Sequence, residues 1–144
     1  MARFLDILFL LVTTNSIIFQ VDQSFTDIEF NHIKRAQQFW NRYLIPSCRL
    51  HTHVHRLPID HSPLYPPLDQ LPTIRGDLTR PHASSFTITR RSEDVLLDVD
   101  VSMNLVYTRR CDKSFFPIIL HELGHVLGLQ HNHFKYSIMN LTLD

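Results

Sequence analysis

Apolar residues recur at helical spacing across residues 27–44, DIEFNHIKRAQQFWNRYL. The recurring positions are Ile28, Ile33, Ala36, Trp40 and Leu44. Thr26, three residues before Glu29, forms the pattern of a capping box, and Pro46 ends the apolar repeat. The pattern therefore predicts a helix from about residue 27 to 44. The run IIFQV at residues 17–21 has the composition of a strand.

Alternation of polar and apolar residues indicates further strands. In CRLHTHVHRL, His51, His53 and His55 alternate with apolar positions, and we expect them on a solvated face, although histidines two apart on a strand can also share a metal ion. SSFTITRR and DVLLDVDVSMNLVYTRR are rich in β-branched and apolar residues and predict two more strands. Residues 58–81 contain many prolines and predict an irregular surface loop.

A second helix is predicted around HELGHVLGLQH at residues 121–131. Leu120, Leu123 and Leu127 recur at core spacing, which an ordinary amphipathic helix would also show. Ser114 is placed to cap this helix, and Pro117 is tolerated in a first turn.

The polar residues of this run have the spacing of a catalytic zinc site. His121 and His125 project from one helix face and can bind the same ion. Gly128 allows a left-handed turn at the helix end, so that His131 can return as a third ligand. Catalytic zinc keeps three protein ligands and an open position for water, and Glu122 is placed to take a proton from that water. His133 is an alternative third ligand, although its offset from the glycine differs.

Composition and charge limit the other functions. The chain has 144 residues, room for one domain, and 44% hydrophobic residues, enough for a core. Lys plus Arg and Asp plus Glu each count 14, so no basic footprint indicates a nucleic acid or membrane-surface partner.

The N-terminus has the pattern of a secretory signal at residues 1–16, with Arg3, a short apolar run and small residues before a cleavage point. The run is too short to span a bilayer, and the mature domain would be residues 17–144. An exported domain with two cysteines, Cys48 and Cys111, is expected to form one disulfide. The alternative is a cytosolic protein with a buried N-terminal element and two thiols.

The pattern H-E-x-x-H-x-x-G-x-x-H resembles that of the metzincin zinc peptidases. Met139, in KYSIMN eight residues after His131, is similar to the Met-turn of the matrix metalloproteinase branch, the matrixins of peptidase family M10. The resemblance implies one catalytic zinc ion, with His121, His125 and His131 as ligands, Glu122 as general base and Met139 as the floor of the site. It implies an α+β fold, a twisted mixed sheet with an N-terminal helix and a zinc-binding helix followed by the Met-turn.

By this resemblance we expect a secreted, monomeric zinc endopeptidase that acts on peptide or protein substrates. The alternative is a secreted zinc-binding module of the same fold that binds a partner without catalysis. In the matrix metalloproteinases a segment after the Met-turn forms the wall of the S1′ pocket, whereas this sequence ends at Asp144, five residues after Met139. We therefore expect that pocket to be open, rebuilt from other residues or absent, which favours the module. Glu122 favours the enzyme, since a structural site needs no base and usually takes a fourth protein ligand.

Overall fold

The computed structural model describes residues 16–52, 56, 72–79, 84–92, 95–110 and 114–140. In chain order, its elements are β1 (Ile17–Val21), α1 (Asp27–Asn41), a 3-10 helix (Pro46–Cys48), β2 (Leu50–Thr52), β3 (Thr73–Asp77), β4 (Phe86–Ser92), β5 (Val95–Asn104), α2 (Leu105–Arg110) and α3 (Phe115–Val126). None of the helices among these residues is long and apolar enough to cross a membrane.

The five strands form one mixed sheet in the order β2-β1-β3-β5-β4. Strand β4 pairs antiparallel with β5 at one edge, and the other neighbouring strands are parallel. Helices α1 and α3 pack against each other. Apolar side chains of the helices and of the strands join in one buried cluster, which includes Phe19, Val21, Ile74, Val101, Met103, Ile33, Trp40, Ile119 and Leu123. This architecture confirms the predicted α+β class.

Helix α1 begins at the predicted capping box. The Thr26 hydroxyl accepts from the Glu29 amide at 3.2 Å, and the Glu29 carboxylate accepts from the Thr26 amide at 2.8 Å. The regular helix ends at Asn41, three residues before the predicted end, and tighter turns continue the chain to Leu44, which is buried. One predicted core position is wrong, because Ile28 is 70% exposed.

The loop predicted over residues 58–81 contains a central strand instead. Strand β3 lies between β1 and β5, and Thr73, Ile74, Arg75 and Gly76 are all buried. Burial of the polar members is possible because Asp100 on β5 accepts hydrogen bonds at 2.8 Å from both the Thr73 hydroxyl and the Arg75 Nε. Asp100, 25 residues from Arg75, therefore stabilises strand β3, which the proline-rich sequence around it did not predict.

The strand predicted within residues 94–110 ends at Asn104, and α2 follows at once. The Asn104 side chain accepts from the Tyr107 amide at 3.0 Å, which satisfies a donor in the first turn of the helix. The asparagine cap therefore marks the end of the strand. The apolar residues beyond it, such as Leu105, do not mark this boundary, because their spacing is compatible with a strand as well as with a helix.

The structure does not support the predicted disulfide between Cys48 and Cys111, because Cys48 is a free, buried thiol. Its sulfur lies 3.8 Å from the hydroxyl of Ser47 at the end of the 3-10 helix. The number of cysteines in a sequence does not show how far apart they lie in the folded chain. Cys48 is buried in the core as a thiol. Cys111, His53 and His55 lie outside the described residues, and His51 is exposed on the short strand β2.

Candidate metal centre

Helix α3 and the turn after it bring the three predicted histidines together. His121 and His125 lie one turn apart on α3, which ends at Val126. Gly128 has a φ of 92°, in the left-handed region, and its amide donates to the His125 carbonyl at 2.9 Å. The glycine thus reverses the chain, as predicted, and directs His131 back toward the helix.

The three Nε2 atoms converge on one point. They are separated by 3.1 Å between His121 and His125, 3.2 Å between His121 and His131, and 3.0 Å between His125 and His131. Zinc bonds of about 2.0–2.1 Å in tetrahedral geometry place ligand nitrogens about 3.3 Å apart. Among the described residues, this is the group of three or more potential ligands that can hold a metal ion. His133 is exposed and lies outside the group.

Backbone carbonyls orient two of the imidazole rings. The Nδ1 of His121 lies 2.7 Å from the Ile138 carbonyl, and the Nδ1 of His125 lies 2.8 Å from the Leu129 carbonyl. Because a carbonyl only accepts, Nδ1 carries the proton in each ring, and Nε2 presents its lone pair. Lone pairs that face one another across 3.1 Å repel unless a cation lies between them. The donor set and the tautomers therefore fit zinc.

The site is buried on one side and open on the other. His121 is fully buried, His125 is half-buried and His131 is exposed. A cleft of about 420 Å³ borders the open side, between Phe86 and Thr87 of β4 and the chain from Gly128 to His131. Three protein ligands would leave one position of a bound zinc ion for a further ligand, and the cleft lies beside two of the three, His125 and His131.

Met139 lies beneath the helix, buried in the turn that follows His131. The turn is closed by hydrogen bonds from the Asn132 amide to the Met139 carbonyl, 2.9 Å, and from the Met139 amide to the Ser137 hydroxyl, 3.1 Å. A Cβ atom added at Gly124 would overlap the Met139 sulfur. Gly124, which lies between the first two histidines of the motif, therefore provides the space in which the predicted Met-turn packs.

Glu122 is fully buried and also borders the cleft. Its Oε2 accepts from the Thr87 hydroxyl at 2.5 Å, and the same hydroxyl lies 3.1 Å from the Glu122 carbonyl oxygen. Thr87 was not among the site residues predicted from the sequence. Nothing in the pattern SSFTITRR distinguishes this threonine from its neighbours, because its partner is 35 residues away.

The model of the peptidase M10 family, described as matrixin, matches residues 13–144. Among solved structures, the chain is similar to high choriolytic enzyme 1, a hatching enzyme zinc-protease from the medaka fish Oryzias latipes, with 19% identity and a TM-score of 0.44. The similarity covers 81% of this chain and 44% of that one, so this chain spans less than half its length.

No curated protein matches the chain. The family match runs over nearly the whole chain and includes the three histidines, Glu122 and Met139. It agrees with the resemblance that the zinc motif carried and with the mixed sheet and helices described above. The chain therefore belongs to the matrixin family of zinc peptidases, peptidase family M10.

Proposed function

We propose that this protein is a zinc-dependent endopeptidase that binds one catalytic zinc ion through His121, His125 and His131. The observation that carries the proposal is the convergence of three Nε2 atoms within 3.2 Å of one another beside a cleft that Glu122 borders. The zinc ion, when bound, supplies Lewis-acid polarisation of a carbonyl group and acidification of water to a pKa of about 7.

In this proposal, Glu122 is the general base. Its carboxylate accepts a proton from the attacking water and later delivers that proton to the leaving amine. Glu122 follows His121 directly on α3, and Glu122 borders the same cleft as the other two ligands, His125 and His131.

The substrate would be an extended peptide. Strand β4 lies at the end of the sheet order, and its residues Phe86 and Thr87 border the cleft. A peptide can add to such an edge as a further strand, since main-chain hydrogen bonds then hold it independently of most side chains. This arrangement favours internal peptide bonds over chain ends.

The test combines zinc content with cleavage of a denatured protein. The zinc-loaded chain is expected to bind one zinc ion and to cleave in a manner that a chelator abolishes. Glu122→Ala is expected to keep the zinc and to lose the cleavage, whereas His131→Ala is expected to lose both. His133→Ala is the matched control, because this histidine is exposed and lies outside the cluster, and it should keep both.

The outcomes separate the two functions considered. One zinc ion without cleavage in the wild type would favour a zinc-binding interaction module of the same fold. A wild-type chain that binds no zinc would remove the basis for both functions.

We further propose that residues 1–16 form a secretory signal, that residues 17–144 form the mature domain and that this domain is a monomer. The signal pattern at the N-terminus supports the export. N-terminal sequencing of exported protein is expected to begin near Ile17, and light scattering should give the mass of one chain. Retention of Met1 on a chain that stays inside the cell would contradict the export.

A further inference from the structure

We propose that Thr87 is a positioning residue that holds the carboxylate of Glu122 in its working orientation. The inference rests on the proposed function, because it assigns a partner to the proposed general base. It goes beyond the zinc motif, since Thr87 lies on the edge strand and not on the zinc-binding helix.

The contact joins the two sides of the site. On β4, Thr87 is in register with Val101 of β5, and so the sheet holds its backbone. From there its hydroxyl reaches Oε2 of Glu122 at 2.5 Å and the Glu122 carbonyl oxygen at 3.1 Å. The hydroxyl has one proton, and the shorter distance to the ionised acceptor indicates that the carboxylate receives it.

A glutamate needs such a contact because its side chain has several rotatable bonds. Holding these bonds in one arrangement costs rotamer entropy. A hydrogen bond formed before the substrate arrives compensates for that cost in advance. General-base catalysis depends on this alignment, since a displacement of about 1 Å at a reacting group can lower the rate by as much as about 100-fold.

Threonine can hold the Glu122 carboxylate in one orientation because its side chain is branched at Cβ. The methyl group and the hydroxyl leave few rotamers in a strand, so the direction of the donor follows from the backbone. Valine has the same shape without the donor, and serine keeps the donor without the methyl group. The pair of substitutions therefore separates hydrogen bonding from packing.

The experiment compares zinc-loaded Thr87→Val and Thr87→Ser with the wild type. For Thr87→Val we expect kcat to fall about 10-fold with KM within about twofold, because the carboxylate loses its alignment but the cleft keeps its shape. For Thr87→Ser we expect most of the kcat to return. Thermal unfolding and zinc content measured on each variant show that the loaded site is intact.

A second readout is independent of activity. The chain contains three glutamates, so 13C labelling of glutamate carboxyls gives few resonances, and the resonance missing in Glu122→Gln identifies Glu122. This resonance is expected to shift in Thr87→Val and to return toward its wild-type position in Thr87→Ser. A merely structural threonine would not move it.

Thr108→Val is the matched control. Thr108 is buried, its hydroxyl has no hydrogen-bond partner in the described part of the chain, and it lies on α2, away from Glu122 in the sequence. This variant is expected to leave both kcat and the Glu122 resonance unchanged.

Three results would overturn the role of Thr87 in an active wild type. They are an unchanged kcat in Thr87→Val, an unmoved Glu122 resonance, and a Thr87→Ser variant as slow as Thr87→Val. A wild type that binds zinc but cleaves nothing would instead overturn the proposed function, and the catalytic role of Thr87 with it. The two failures are therefore distinct.

Discussion

At the scale of single residues, the backbone around the metal centre sets the orientation of its side chains. The carbonyls of Ile138 and Leu129 hold the rings of His121 and His125, and each comes from the chain after α3. The ligand geometry therefore depends on the turns that follow the helix as well as on the helix itself. Substitutions that displace those turns should weaken zinc binding without touching a ligand.

Gly124→Ala tests whether displacement of the Met139 turn weakens zinc binding. In an unobstructed helix, alanine would be more favourable than glycine by about 1 kcal/mol. Here the added Cβ would overlap the Met139 sulfur and lie 3.2 Å from both Met139 Cε and Trp40 Cζ2. We expect the variant to lower the free energy of unfolding by about 1–3 kcal/mol and to weaken zinc binding, because overpacking displaces the turn. Denaturant unfolding and zinc titration measure both.

The matched control for Gly124→Ala is the double variant Gly124→Ala/Met139→Ala. Removing the long side chain creates room for the new Cβ, so the two changes should cost less together than the sum of the single variants. A Gly124→Ala chain more stable than the wild type would show that Met139 does not pack against this glycine.

At the scale of elements, the start of α1 is tied to α2 by an ion pair. Arg109 donates from Nη2 to the Glu29 Oε1 at 2.9 Å and from Nε to Oε2 at 3.2 Å. Burial alone would raise the pKa of Glu29, but the hydrogen bonds from Arg109 and Thr26 outweigh it and lower that pKa. The carboxylate correspondingly raises the pKa of Arg109. The capping box and the ion pair thus share one carboxylate.

This carboxylate should make the stability of the domain depend on acidity. Because the folded pKa lies below the unfolded one, the stabilisation is complete above the ordinary glutamate pKa of about 4.3 and is lost as pH falls through the folded pKa. The difference in unfolding free energy between wild type and Glu29→Gln is expected to be about 1–2 kcal/mol at neutral pH and to shrink below about pH 4. Denaturant unfolding over a pH series measures it.

The control for Glu29→Gln is the same substitution in a chain that lacks the charge of Arg109, its ion-pair partner. In an Arg109→Gln background, the Glu29→Gln change should have a smaller and less pH-dependent effect, since the charged donor is gone. Equal effects in both backgrounds would mean that the ion pair does not stabilise α1.

At the scale of the whole molecule, a bound ion would connect α3 with the turns after it. A ligand that binds only the folded state stabilises it by about 4 kcal/mol at a thousand times its Kd. For a domain of this size, we expect zinc removal by a chelator to lower Tm by about 10–15 °C. The Tm of His133→Ala should fall by the same amount when the chelator removes zinc, whereas the Tm of His131→Ala should change little. A wild-type Tm that is indifferent to both zinc and chelator would argue against the site.

The free thiol of Cys48 leads to a second prediction for the whole molecule. The chain has two cysteines, and Cys48 is a free, buried thiol in the structure. A reductant is therefore expected to leave Tm unchanged, whereas loss of a disulfide typically costs about 2–4 kcal/mol. Thiol titration of the denatured chain should give two reactive groups without prior reduction. One or none would indicate a bridge.

Features encoded by neighbouring residues were predictable from the sequence. The capping box of α1, the left-handed turn at Gly128 and the three histidines of the zinc motif each depend on contacts within about a dozen residues. Local spacing is sufficient for such features, because helix periodicity and turn chemistry act over short distances. The family followed from the same motif and was confirmed by the match over residues 13–144.

Only the tertiary structure decided the features that depend on distant partners. Asp100 makes the burial of Arg75 in the central strand β3 possible, Cys48 is a thiol in the core, and Thr87 on β4 contacts Glu122 on α3. These contacts join residues far apart in the chain, and no local period or turn signal records them. The sequence by itself determined the zinc motif and its helix, whereas the folded sheet decided which residues surround the proposed base.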